Sequence, residues 1–80
     1  MSQDLLPLDL VPHGEWGDVA DVCGEPSWVV RLAELGLRVG SRIRVLQTGS
    51  PCLLQVGHSR LSLRGESVQI LVRPQKSQDP

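Results

Sequence analysis

Polar and apolar residues alternate one by one through much of the second half of the chain, the period of a strand with one buried face. Arg42-Ile43-Arg44-Val45 opens the series, and Cys52-Leu53-Leu54-Gln55-Val56 follows with Leu54 and Val56 on one face. Ser59-Arg60-Leu61-Ser62-Leu63-Arg64 is the cleanest run, with Leu61 and Leu63 inward and Arg60, Ser62 and Arg64 outward. Val68-Gln69-Ile70-Leu71-Val72 ends the series with Val68, Ile70 and Val72 inward. Turn chemistry separates these runs at Val39-Gly40-Ser41, in the polar stretch 47–51, at Gly57-His58 and at Gly65-Glu66-Ser67. A further strand is predicted over 16–23, where Val19 and the Cys23 thiol share one face and Ala20 and Val22 the other. Before it, Asp9-Leu10-Val11 reads as an extended entry and Pro12-His13-Gly14 as a turn.

Between residues 26 and 35 the period changes to that of a helix. Val29, Leu32, Ala33 and Leu35 recur at spacings of three and four, while Arg31 and Glu34 lie on the wet side, three apart. Pro26 suits a first helical turn, and Gly36 suits the left-handed position just past the end. Trp28 and Val30 fall off the buried stripe. The pattern therefore predicts a mainly β chain: a small SH3-like barrel of about five strands, with one helix between the first and second strands. Gly14, Gly36, Gly40 and Gly57 take its structural turns. The folded unit is expected over 8–73, with a flexible N-terminus over 1–7 and a disordered tail over 74–80. Leu46 and Leu71 fall on outward parity and predict an apolar patch on the sheet, unless a bulge intervenes.

Composition then narrows the function. Eighty residues make one small domain. Its apolar residues are mainly Leu and Val, with Trp16 and Trp28 the only aromatics. A chain this short buries about 60–65% of its unfolded surface, which leaves little room for a substrate-sized cavity; an enzyme is not expected. Eight Lys and Arg stand against nine Asp and Glu, for a net charge of −1. Nucleic acid is not an expected partner, since the basic excess and the stacking aromatics of such proteins are both lacking. No apolar run approaches the length of a membrane span, so direct membrane insertion is not expected. Residues 1–7 lack the basic region of a signal peptide. Cys23 and Cys52 are accordingly expected as reduced, half-buried thiols.

Motifs that carry chemistry are lacking. The chain has no glycine-rich phosphate loop, no nucleophile elbow and no Cys-x-x-Cys pair. His13, Cys23, Cys52 and His58 lack the paired spacing of a zinc site, so no metal ligand and no cofactor is assigned. Interest moves to the surface. Trp28, near Arg31 and Leu35 on the helix, either anchors a partner or folds over the barrel mouth to complete a core poor in aromatics. Arg60 and Arg64 share the outer face of one strand, either meeting acidic groups of a partner or discouraging edge pairing.

The run Arg31-Leu32-Ala33-Glu34-Leu35-Gly36-Leu37-Arg38-Val39-Gly40-Ser41-Arg42-Ile43 resembles the core of the ferrous iron transport protein A (FeoA) family, "R-x-L-x-E-L-G-L-x-P-G-x-x-V". Arg60-Leu61-Ser62-Leu63-Arg64 is similar to that family's "R-L-A-L-R" strand. Leu8-Asp9-Leu10-Val11-Pro12-His13-Gly14 resembles its opening "L-x-x-L-x-P-G". The resemblance spans about 8–73. The chain departs from it at Val39, where the family has Pro, at His13, which separates Pro12 from Gly14, and in a shorter loop over 48–52. The resemblance implies an SH3-like barrel in a bacterial, cytoplasmic accessory protein. Its implied partner is a FeoB-type membrane iron transporter, met at the soluble GTP-binding part. The module also resembles the C-terminal domain of DtxR-type iron-dependent repressors. That likeness implies the alternative, a transition-metal-binding sensor or storage domain. A third reading, a proline-peptide module, fits poorly with a chain that has no Tyr or Phe to line the groove.

Overall fold

The computed structural model describes residues 5–65 and 68–75. The expected loose ends at 1–4 and 76–80, and the turn residues Glu66 and Ser67, lie outside the described residues. The elements run β1 (Leu6–Pro7), a 3-10 turn (Leu8–Leu10), β2 (Trp16–Gly24), α1 (Pro26–Glu34), β3 (Arg42–Gln47), β4 (Cys52–Val56), β5 (Ser59–Leu63) and β6 (Val68–Gln75). The strands form one antiparallel sheet in the order β1-β6-β2-β3-β4-β5. It curls into an SH3-like barrel around Leu8, Val11, Val19, Leu32, Leu37, Ile43, Val45, Cys52, Leu54, Val56, Leu63, Ile70 and Val72.

Five strands and the helix coincide with the predicted ones, and a sixth is added. β1 consists of Leu6 and Pro7, paired with Val72 and Leu71. Two residues are too few to show alternation, so the pattern placed them in a loose N-terminus. The extended entry is corrected as well: Leu8–Leu10 close a 3-10 turn in which the Val11 N–H donates to the Leu8 carbonyl at 3.1 Å. The turn drives both Leu8 and Val11 into the core. At the other end β6 continues through Pro74 to Gln75, into the expected tail. Pro74 is tolerated there because β6 has β2 on one side only at that point.

Two bulges change which side chains are buried. In β2 the register against β6 slips between Val19 and Asp21, so Ala20 is the extra residue. Parity inverts beyond it: Val22 joins Val19 in packing on the core, and Cys23 becomes exposed. The expected Val19–Cys23 face does not form, and the two thiols are not alike, since Cys52 is buried. In β3 the register slips between Val45 and Gln47, at Leu46. Leu46 and Leu71 are both half-buried, and β2 lies between their strands, so the expected exposed patch is not there.

α1 ends in a Schellman motif. The Leu37 N–H donates to the Leu32 carbonyl at 2.8 Å and the Gly36 N–H to the Ala33 carbonyl at 3.0 Å. Gly36 has φ +99°, which a side chain would strain. Leu32 and Leu37 are both fully buried, the apolar contact that accompanies this stop. Ser41 locks the exit toward β3: its hydroxyl donates to the Gly36 carbonyl at 2.6 Å and accepts from the Arg38 N–H at 3.0 Å. The Glu-Leu-Gly-Leu block is thus a helix terminator whose last Leu plugs the barrel.

Candidate functional site

Trp28, Arg31 and Leu35 follow one another at steps of three and four, which puts them on one stripe of α1. That stripe faces β5. Between them runs a groove lined by Trp28, Arg31, Leu32 and Leu35 from the helix and by Leu61, Ser62 and Leu63 from the strand. Leu32 and Leu63 are buried and form its floor. Trp28 is 37% exposed and Leu35 49%, so both remain available at the walls. The helical pattern put Leu35 on the buried stripe; it is exposed because Leu37, beyond the Gly36 turn, fills the core position instead. Trp28 lies in the groove wall, partly in view rather than sealed under the barrel.

Arg60 and Arg64 do not line the groove. Arg60 is exposed on β5, and Arg64 follows one residue past the strand's end. The structure thus gathers Trp28, Arg31 and Leu35 and leaves the two arginines flanking them along the strand. Arg31 and Glu34 form no ion pair with each other.

The thiols sit in separate places. Cys23, at the end of β2, donates to the Asp21 carboxylate at 3.0 Å. That bond, with the nearby negative charge, holds its pKa above the ordinary thiol value. Cys52 opens β4 beneath a recess shared with Leu8, Leu63 and Ile70. Burial, and then the Asp9 carboxylate, push its pKa up. Both thiols are thus shifted away from the lowered value of a reactive cysteine. Among the described residues no three His, Cys, Asp or Glu side chains group as metal ligands. None of the described helices is long and apolar enough to cross a membrane.

Two features of the outer sheet surface escaped the pattern. Trp16 and Arg44 are cross-strand partners, and the Arg44 guanidinium lies 5.6 Å from the Trp16 ring centroid. Asp18 accepts from Arg42 Nε at 3.0 Å and from Gln75 Nε2 at 2.9 Å, tying β3, β2 and β6 together. Only the strand register brings these side chains together, and the residues are far apart in sequence.

Comparison with known proteins follows the same lines. A family profile described as the FeoA domain matches residues 6–74. A crystal structure of an iron uptake regulatory protein, FeoA, superposes with a TM-score of 0.79 at 27% identity, covering 90% of this chain and 100% of that one. A manganese-dependent transcriptional repressor superposes with a TM-score of 0.74 at 18% identity, covering 90% of this chain but 44% of the repressor. At that identity the likeness is one of fold. Among curated proteins none matches.

Proposed function

The chain belongs to the FeoA family, and we propose that it serves ferrous iron transport as a cytoplasmic accessory protein that works by protein–protein contact. The proposed partner is a FeoB-type membrane transporter, met at its soluble GTP-binding part. Family membership supports the role in iron transport. The groove between α1 and β5 is the observation that supports a binding surface.

The physical argument is one of unspent apolar area. This chain has two aromatic side chains and a core of Leu, Val and Ile, yet Trp28 stays 37% exposed beside Leu35 and Arg31. Trp and Arg are the residues most enriched where interfaces concentrate their energy, and a Trp beside an apolar floor is a ready anchor. Calorimetric titration of the full chain against the transporter's soluble domain tests the reading. Trp28→Ala and Leu35→Ala are each expected to weaken binding at least about tenfold, with the fold intact by circular dichroism. No binding by the unchanged chain overturns the partner, and binding indifferent to both substitutions overturns the surface.

A further inference from the structure

β5 ends the sheet. Among the described residues it pairs with β4 alone, in an unbroken register from Cys52 opposite Leu63 to Val56 opposite Ser59. The opposite edge, β1, is two residues long and contains Pro7, the usual way to blunt an edge. β5 has five residues, no proline and no bulge.

The register fixes which backbone groups face outward. Val56 and Ser59 flank the two-residue turn Gly57-His58, so they form a hydrogen-bonded pair, and such pairs recur at every second residue. Ser59, Leu61 and Leu63 therefore direct N–H and C=O toward β4. Arg60 and Ser62 direct theirs to the open side, where the α1 groove lies.

From this geometry we infer that β5 accepts an added strand: an extended segment of a partner protein in which apolar residues alternate with acidic ones. The backbone of the segment pairs with Arg60 and Ser62. Its apolar side chains enter the groove over Leu32, Leu61 and Leu63, against Trp28 and Leu35. Its acidic side chains meet the charge at the site. Arg31 stands in the groove wall and Arg60 on the strand, and neither side chain has an ion pair or hydrogen bond among the described residues. Glu34, the one acidic residue of α1, is not among the residues lining the groove. The inference deepens the partner-binding reading and rests on it for the partner's identity; the docking mode rests on the strand edge.

Amide exchange by NMR on the full chain tests it, with two capped hexapeptides as probes, Val-Glu-Val-Glu-Val-Glu and the same peptide with Lys for Glu. Saturation with the acidic peptide is expected to slow exchange of the Arg60 and Ser62 amides at least tenfold, while Ser59, Leu61 and Leu63 change little because β4 already protects them. The Lys peptide is expected to bind at least tenfold more weakly, and Arg60→Glu to narrow or reverse that preference. Ser62→Pro removes an outward N–H without removing a bond to β4, and is expected to abolish peptide binding. Failure of the acidic peptide to bind, or binding without protection of Arg60 and Ser62, overturns the inference. Protection that appears in the chain alone as its concentration rises also overturns it, since the occupant is then a second copy. The same exchange measured with the transporter's soluble domain separates the two readings. Domain binding without protection of Arg60 and Ser62 sinks the docking mode only. Peptide protection without domain binding sinks the choice of transporter only.

Discussion

β2 and β6 run side by side from Trp16 opposite Gln75 to Gly24 opposite Val68, whereas β5 has a neighbour on one side only. In the middle of the β2–β6 wall Val19, Ile70 and Val72 are all buried. Packing there is so close that a Cβ on Gly17 would collide with the Val72 Cγ1 methyl and come within 3.2 Å of the Arg73 carbonyl. Across β5 the barrel is covered by a nine-residue helix that buries Leu32 and leaves Trp28, Val30 and Leu35 exposed. The middle of the wall is buried, while beside β5 part of the apolar area of the helix stays on view. One small barrel thus divides into a sealed wall and an open groove.

The largest test of that division sets Leu54→Ala against Leu35→Ala in urea unfolding. Leu54 is fully buried, and its truncation is expected to lower stability by about 2–5 kcal/mol. Leu35, half in solvent, is expected to cost about 1 kcal/mol or less. Equal costs would erase the distinction. Next comes Gly17→Ala, expected to destabilise by about 1–3 kcal/mol through overpacking against Val72 and the β6 backbone. A neutral result would mean that the wall gives as readily as the groove. The smallest effect concerns Cys52, beneath the recess it shares with Leu8, Leu63 and Ile70. Its folded pKa is raised above the ordinary value of 9.0, so its contribution to stability is complete below about pH 9 and is lost as pH rises through the folded value. Unfolding measured across alkaline pH is expected to show this decline in the unchanged chain and a flatter profile in Cys52→Val. Identical profiles would mean that the recess is wetter than the wall.

Strands β3 to β6 were legible because each keeps one face in the core, and alternation records that directly. The α1 boundaries were legible for a local reason too, since Pro26 and Gly36 mark its ends. What could not be read are the places where alternation stops being a count. A single extra residue at Ala20 turns Val22 inward and Cys23 outward, and nothing in the composition of 16–23 announces it. β1 is defined entirely by its partner β6. The role of Gly17 is likewise long-range, because only the approach of Val72 and Arg73 shows why a side chain has no room. The groove was half legible: Trp28 stood out by failing to fit the buried stripe. Its companion Leu35 was assigned inward, since Leu37 takes the core position only after the chain has turned at Gly36.

The Schellman stop also positions the groove. Nine residues are too few for a helix to persist alone in water. α1 is held at its C-terminal end by Leu32, Leu37 and the Ser41 clasp, while Glu25 provides no side-chain cap at the other end. At that other end only the Glu25 carbonyl holds the first turn, accepting from the Trp28 and Val29 N–H groups. The anchored end therefore fixes where the groove lies.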